Sequence, residues 1–173
     1  GRGHHQRHGG GAQTGGLEGR DVAVASFDLT VLGASSSATN IRKLDFLKKR
    51  ASAAGIPCAF LIESAGARMP DIQGATGMGR IGLLSSMSRD RDAPWVSAVL
   101  GPCYGMGTWY AVMSDFAVMR KDATFSVSSP KVTSVAMSQE VTPEALGGSD
   151  LHAETTGQVD LVTDTDEEAI DAL

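Results

Sequence analysis

The chain has 173 residues, of which 42% are hydrophobic and 20% are charged, and its formal net charge is −5. These values are typical of one globular domain, and the mild acidity argues against a nucleic-acid partner, because such binders present a basic face. A membrane-spanning helix needs about 20 consecutive apolar residues, and the sequence has no such run.

The first 16 residues differ in composition from all that follows. They are rich in glycine and histidine and contain no large apolar side chain, so residues 1–16 are predicted to be a flexible lead-in to a domain spanning residues 17–173. Three histidines, His4, His5 and His8, are of a metal-ligand type. A tag-like segment explains them more simply, and we expect no metal site.

The chain has two cysteines, Cys58 and Cys103, each in or just after an apolar run. Their spacing does not suit a structural zinc, and we predict two buried, reduced thiols rather than a disulfide. Reduced thiols are typical of a cytoplasmic protein, or of the mitochondrial matrix if the source is eukaryotic.

From Leu17 onward, runs of strand length alternate with helical patterns. In chain order the predicted elements are two short strands within 21–33, a helix at 35–55, a strand at 57–63, a helix near 77–88, a strand at 94–101 followed by a helix, two short strands within 115–127, a helix at 142–148, a strand at 158–163 and a helix from 166. Such alternation predicts an α/β fold that winds as right-handed βαβ units. A dinucleotide-binding Rossmann fold fits less well, because no G-x-G-x-x-G follows the first strand.

The two continuous apolar strands both end in turns of small residues. One turn is Ser64-Ala65-Gly66-Ala67-Arg68, and the other contains Gly101, Gly105 and Gly107 before a helix. A small-residue turn that leads into a helix presents free backbone N–H groups, which suit a phosphate or an oxygen that becomes negative during a reaction. Close packing of helix on sheet explains the glycines equally well from spacing alone.

Side chains for acid–base chemistry are scarce in this sequence. No Ser-His-Asp set, H-E-x-x-H motif, P-loop or G-x-S-x-G motif is apparent, and His152 is the one histidine beyond the lead-in. If the protein is an enzyme, backbone dipoles are therefore expected to supply most of the stabilisation of charge.

Four segments in order carry a family resemblance: "SFDLTVLGASSS", "ESAGAR", "VLGPCYGMGTWYAVMSDFAVM" and "VTPEALGGSDLHAETTGQVD". Together they resemble the N-terminal carboxyltransferase domain of the biotin-dependent acyl-CoA carboxylases, of the propionyl-CoA carboxylase β-subunit type. The resemblance runs from about Gly15 to the end of the sequence. It implies a crotonase-type α/β fold, a right-handed superhelix of ββα units.

The resemblance also implies an activity and a site. Carboxyl is transferred from carboxybiotin to an acyl-CoA through an enolate whose oxygen is held by the amides of Gly105 and Met106. The substrate-binding residues are then Ser64, Ala65, Gly66, Ala67, Arg68 and Gly107. Biotin is carried by a partner and is not attached to this chain.

The implied partners follow from the family. They are a second carboxyltransferase domain or subunit, the biotin carboxyl carrier and biotin carboxylase components, and other copies of the chain in a homo-oligomer. A family subunit continues into a second crotonase-type domain, so we expect the site to be incomplete in one copy of a chain that is either an excerpt or a half-subunit.

Some residues depart from the family pattern, and some roles stay open. A glycine pair is usual where this chain has Gly105-Met106, and S-G-G-A-R is usual where it has "SAGAR". Arg68 is a candidate contact for the CoA phosphates. Arg42 and Lys43 are weaker ones, since a solvated helix face explains them as well. Two other functions are compatible with the same fold, a malonyl-type thioester decarboxylase and a non-catalytic assembly subunit.

Overall fold

The computed structural model describes residues 11–17, 20–81 and 91–173. The strands are β1 Gly11–Leu17, β2 Arg20–Ser26, β3 Cys58–Ser64, β4 Trp95–Tyr104, β5 Phe116–Arg120, β6 Thr124–Ser126 and β7 Leu161–Thr163. The helices are α1 Ala38–Ala54, α2 Met69–Ile72, α3 Gly74–Ile81, α4 Met106–Met113, α5 Pro130–Met137, α6 Pro143–Gly147 and α7 Asp166–Asp171, with a π-helix at Leu151–Thr156.

The strands form one seven-stranded sheet. Six of them follow the order β1-β2-β3-β4-β5-β7, and the seventh, β6, pairs with β4. Among the strands that the structure describes, the β1–β2 pair is antiparallel and every other pair is parallel. The central strand β4 is long enough for two neighbours on one edge, because β5 pairs with residues 96–99 and β6 pairs with residues 102–104. The carboxyl ends of β3 and β4 therefore lie side by side, which is where parallel sheets commonly bind ligands.

The main core lies between the sheet and helices α1 and α4. Phe60 and Ile62 from β3 meet Tyr110 from α4, and Ile41 and Ala51 are the buried apolar residues of α1. A smaller apolar cluster on the other face packs under α7. Helix α1 is bounded as its sequence predicts, by a capping box of Ser37 and Asn40 at its start and by Gly55 in a left-handed conformation at its end.

Several predicted elements are confirmed, and the differences have physical reasons. Residues 11–16 of the predicted lead-in belong to β1, where their main chain pairs with β2. The second short strand expected within 21–33 is absent from the described residues, because Leu32, Gly33 and Ala34 adopt a left-handed turn with φ of 51°, 63° and 49°. The predicted helix near 77–88 overlaps α3, and its residues 82–88 lie outside the described part of the chain.

Strand β4 is longer than the sequence suggested. Residues Gly101, Pro102 and Cys103 continue the strand instead of forming a turn, so the turn itself begins at Gly105. The glycine at position 101 does not bend the chain. It leaves space for the side chain of Glu63, whose Oε1 would collide with a Cβ there. Both cysteines are buried and free, as predicted.

Candidate functional site

The site predicted from the sequence consists of two turns that touch each other. They follow β3 and β4, which are adjacent parallel strands, so their carboxyl ends meet at one edge. A Cβ atom placed on Gly105 would lie 3.4 Å from the Cα of Gly66 and 3.8 Å from the amide nitrogen of Ala67. The two turns therefore lie so close together that a side chain at position 105 would fill the space between them, and glycine permits this approach.

The first turn is held by a serine and by the left-handed turn that precedes α1. The Ser64 hydroxyl is fully buried, donates to the carbonyl of Ala34 (3.3 Å) and accepts from the N–H of Gly66 (3.1 Å). The N–H of Ala65 donates to the carbonyl of Gly33 (2.8 Å). These contacts fix the backbone of the turn without any charged group.

Arg68 has structural contacts that the sequence could not reveal. Its Nε donates to the Ser35 hydroxyl (3.1 Å), its Nη2 donates to the Ser35 carbonyl (3.3 Å), and its side chain is 29% exposed. The guanidinium thus ties the first turn to the loop before α1. Its predicted contact with CoA phosphates stays a prediction, as does that of Arg42 and Lys43, which are exposed on α1.

The second turn depends on a glycine conformation. Gly105 has φ of 66° and ψ of −127°, a combination that residues with a Cβ rarely adopt. Its N–H donates to the carbonyl of Val127 (3.1 Å), which follows β6. Gly107 is buried against the sheet, where a Cβ would lie 2.7 Å from Sγ of Cys103.

Backbone donors without a partner in the described part of the chain lie at the junction of the turns, one in the first turn and one at the start of α4 among them. The amides of Ala67 and Met106 have no hydrogen-bond acceptor among the residues that the structure describes. Met106 is the first residue of α4, so its N–H has no partner within the helix and lies at the positive end of the helix dipole. Of the predicted pair Gly105 and Met106, the structure thus leaves Met106 as the free donor.

The side chains around the turns offer little acid–base chemistry. Burial raises the pKa of the Cys103 thiol to about 12, despite a hydrogen bond with Thr108 that acts in the opposite direction. Burial also raises the pKa of Tyr104. Both groups therefore stay protonated at neutral pH. Within residues 11–17, 20–81 and 91–173, no cluster of three or more His, Cys, Asp or Glu side chains could hold a metal ion.

Sequence reasoning found the turns but missed the contacts that set their geometry. The acceptor for the Gly105 amide, the free amide of Ala67 and the anchoring of Arg68 all depend on residues that are distant in the chain. Among the predicted substrate contacts, Ala65 and Ala67 are exposed, whereas Ser64, Gly66 and Gly107 are buried. No helix in the described part of the chain is long and apolar enough to cross a membrane.

Known proteins share both this sequence pattern and this fold. Residues 7–173 match the carboxyl transferase domain family. A propionyl-CoA carboxylase carboxyltransferase subunit from Haloferax mediterranei is 33% identical over 163 residues, which cover 91% of this chain and 31% of the relative. The methylmalonyl-CoA carboxyltransferase 12S subunit of Propionibacterium freudenreichii subsp. shermanii is 30% identical over 152 residues, 87% of this chain and 29% of that subunit.

Solved structures agree with the sequence matches. The transcarboxylase 12S structure with hydrolysed methylmalonyl-coenzyme A superposes with a TM-score of 0.81 at 29% identity, covering 93% of this chain and 32% of that one. A Pseudomonas malonate decarboxylase heterodimer has a TM-score of 0.78 at 18% identity, covering 95% of this chain and 73% of that chain, which shows the fold alone.

The architecture is that of a crotonase-type α/β domain, and the fold class predicted from the sequence is confirmed. The chain belongs to the carboxyl transferase domain family, the family of the carboxyltransferase subunits of acyl-CoA carboxylases. It spans about a third of the length of the curated relatives that it matches.

Proposed function

We propose that this chain forms the acyl-CoA side of a carboxyltransferase site and stabilises the oxygen of a thioester enolate with two backbone amides. The observation that carries the proposal is the contact between the two turns, which brings together a pair of amides without acceptors, those of Ala67 and Met106. The pair differs from the one expected from the resemblance, because Gly105 donates to Val127. Gly105 instead acts through its conformation, which directs the backbone into α4.

Backbone donors suit this reaction because charge develops on one oxygen. When the α-proton leaves an acyl-CoA, the thioester oxygen takes up negative charge. Fixed N–H groups at the start of α4 stabilise that charge without having to reorient. Neither turn carries Asp, Glu or His. This composition fits a reaction in which biotin, carried by a partner, supplies the carboxyl group and the site for the departing proton.

The buried and exposed members of the predicted site have different parts in this proposal. Ala65 and Ala67 have exposed side chains beside the free amides, so they are the residues that a bound thioester would contact. Ser64, Gly66 and Gly107 are buried and determine where the backbone lies. Arg68 fixes the first turn through its hydrogen bond with Ser35. Its side chain stays partly exposed, so the guanidinium could also contact a phosphate of the CoA.

A facing domain is also part of the proposal. Four apolar side chains in the segment that follows β6 are exposed, namely Val127, Val132, Val135 and Met137. Three of them are on α5, and the carbonyl of Val127 receives the Gly105 N–H. We propose that a second carboxyltransferase domain, from the same or another subunit of an oligomer, covers this surface and admits the biotin carrier and its carboxylase. The two free cysteines support a reducing compartment such as the cytoplasm or the mitochondrial matrix.

The proposal is tested by removing one amide. Met106→Pro deletes the N–H at the first position of α4, where proline is sterically tolerated. We expect the rate of carboxyl transfer to fall by about 10²–10³, with acyl-CoA binding largely kept, as for loss of one oxyanion donor in other enzymes. The assay uses the full-length protein assembled with its biotin-carrying and carboxylase components.

A matched variant separates the amide from the side chain. Met106→Ala removes the partly buried thioether but keeps the N–H, so its transfer rate should stay within a few-fold of the parent. Circular dichroism and thermal unfolding establish that both variants are folded. A folded Met106→Pro protein that transfers carboxyl at the parent rate would show that this helix start does not stabilise the enolate.

A further inference from the structure

His152 lies in the π-helix, outside both turns, and the proposed function assigns it no role. It is the one histidine in the described part of the chain. Its Nε2 lies 2.9 Å from the carbonyl oxygen of Phe125, and its ring stacks on the Phe125 ring with centroids 3.8 Å apart and planes inclined by 10°. Because a carbonyl only accepts hydrogen bonds, Nε2 carries the hydrogen in this contact.

The surrounding backbone is shaped to allow this hydrogen bond. A Cβ at Gly147 would collide with the Phe125 carbonyl oxygen and would lie 3.3 Å from the histidine Nε2. The π-helical turn ends at Gly157 with φ of 65°, and the main-chain carbonyl of His152 accepts from the N–H groups of Gln158 and Val159 (2.9 and 3.3 Å). The imidazole is thus fixed from both its ring and its backbone.

Residues 125–127, the segment to which His152 is hydrogen-bonded, also form hydrogen bonds with the second turn. Three consecutive carbonyls are involved: that of Phe125 accepts from His152, that of Ser126 accepts from the Thr108 hydroxyl (2.8 Å), and that of Val127 accepts from the Gly105 N–H (3.1 Å). Gly105 and Thr108 lie on either side of Met106. The position of the Met106 amide therefore depends on residues 125–127, and the imidazole of His152 binds the first carbonyl of these three, that of Phe125.

We infer that His152 is a positioning residue for the Met106 amide and acts through residues 125–127 rather than on the substrate. The inference rests on the proposed function, because positioning matters for catalysis only if the Met106 N–H serves as an oxyanion donor. Loss of the imidazole donor would let the Phe125–Val127 segment shift. Displacing a catalytic group by about 1 Å can cost 10²-fold in rate.

The test compares two amide side chains at position 152. Glutamine places its nitrogen about where Nε2 lies and can still donate to the Phe125 carbonyl. The side chain of asparagine is too short for its nitrogen to reach that carbonyl. We expect His152→Asn to lower kcat for carboxyl transfer by about 10- to 100-fold with KM for the acyl-CoA little changed. His152→Gln should retain most of kcat. His152→Phe, which keeps the stacked ring without a donor, should behave like the asparagine variant.

A second measurement reports on the linkage without using activity. Amide hydrogen exchange of the Gly105 region should accelerate in His152→Asn and His152→Phe but not in His152→Gln, because the donor to Phe125 adds to the β4–β6 pairing that holds the acceptor segment in place. Ser149→Ala is the matched control. It removes another buried hydrogen bond, from Ser149 to the Lys121 carbonyl (2.9 Å), that does not lead to the second turn.

The outcomes are distinct. Equal kcat and equal exchange at Gly105 in the Gln, Asn and Phe variants would overturn the inference, as would a loss of kcat in Ser149→Ala as large as that in His152→Asn. If the asparagine variant does not fold, the contrast between Phe and Gln still decides. A failure of the proposed function would show differently, as an unaffected Met106→Pro protein, while the exchange data would still report on the linkage.

Discussion

The two ends of strands β3 and β4 differ in charge and in the groups that they expose or bury. At the carboxyl ends, two uncharged turns meet and expose backbone donors. At the amino ends, two cations surround the indole of Trp95: the Nζ of Lys48 lies 5.5 Å from its ring centroid, and the guanidinium carbon of Arg91 lies 4.3 Å from it. Lys48 also lies over the ring of Tyr110 at 5.1 Å.

This difference teaches that a strongly perturbed titratable group need not mark the functional site. Burial lowers the pKa of Lys48 to about 8, an effect that the nearby Asp45 partly opposes, and burial raises the pKa of Cys58 to about 11. Shifts of this kind are often used to locate active sites. Those of Lys48 and Cys58 belong to a packing layer, and the proposed oxyanion site relies on backbone dipoles that no titration detects.

The charged end has a structural task that its hydrogen bonds make clear. Arg91 donates from Nη2 to the carbonyl of Met113 (2.7 Å), at the C-terminus of α4, and to the Asp115 carboxylate (3.0 Å). The same carboxylate accepts from the N–H of Trp95 (2.8 Å). A cation at a helix C-terminus is favourable to the helix dipole. The charged layer thus anchors one end of α4, and the turn of Gly105 determines the other.

Among the substitutions that keep the Met106 N–H, the largest expected effect at the uncharged end comes from Gly105→Ala. A Cβ there is disfavoured by φ of 66° and ψ of −127° and would approach the Cα of Gly66 to 3.4 Å. The turn should relax and displace the Met106 amide, so we expect carboxyl transfer to fall about 100-fold and the free energy of unfolding to fall by about 1–3 kcal/mol.

A second glycine provides the control for backbone strain. Gly55 ends α1 with φ of 65°, but no heavy atom lies within 4 Å of a Cβ placed there. Gly55→Ala should cost about 1–2 kcal/mol of stability and leave transfer unchanged. If both alanine variants lost activity in proportion to their stability alone, the junction of the turns would have no special role.

Ser64→Ala is expected to have a smaller effect, on stability first. It removes the buried acceptor of the Gly66 N–H and leaves that amide unpaired, which costs about 1–3 kcal/mol. Ser97→Ala is the matched control on the neighbouring strand, because the Ser97 hydroxyl is fully buried and has no hydrogen-bond partner among the described residues. Chemical denaturation should show that Ser97→Ala is neutral or stabilising. Equal losses in the two variants would contradict the role of Ser64 in the first turn.

Much of the fold could be predicted because its signals are local. The hydroxyl residues before α1 and Gly55 after it fix that helix, and the apolar runs of β3 and β4 identify buried strands. Helix α5 was missed although its start is marked, since Ser129 caps it and Pro130 occupies its first position. That signal was available in the sequence and could have been used.

The site was predictable as a place but not as a geometry. Small residues after two buried strands indicated where the donors would lie. Which amides are free depends on tertiary contacts. The carbonyl of Val127 accepts from the N–H of Gly105, and the carbonyl of Ser36 accepts from the N–H of Arg68. The continuation of β4 through Gly101 and Pro102 has the same origin, because pairing with β6 overrides the local preference of these residues for a turn.

The smallest predicted effect concerns the charged end and depends on pH. Lys48 is 4% exposed, and its pKa in the folded protein is about 8, against 10.5 for an ordinary lysine. Between these values the unfolded chain binds more protons than the native one. This group's contribution to stability therefore rises with pH above about 8, and the penalty for burying the ammonium is fully present below that value.

Lys48→Met removes this penalty together with its pH dependence. The stability of the wild type relative to the Lys48→Met variant should therefore increase by about 1 kcal/mol between pH 7 and pH 8.5, a window that the linkage relation gives for this pKa shift. Urea denaturation at the two pH values measures the change, and carboxyl transfer should be unaffected because Lys48 is at the opposite end of the sheet from the turns. Lys49→Met, which removes an exposed lysine of the same helix that pairs with Asp45 at 2.7 Å, should retain the wild-type pH dependence. A stability difference between wild type and Lys48→Met that does not vary with pH would mean that Lys48 keeps its ordinary protonation in the folded state. The contrast between a charged structural end and an uncharged functional end would then lose its electrostatic basis.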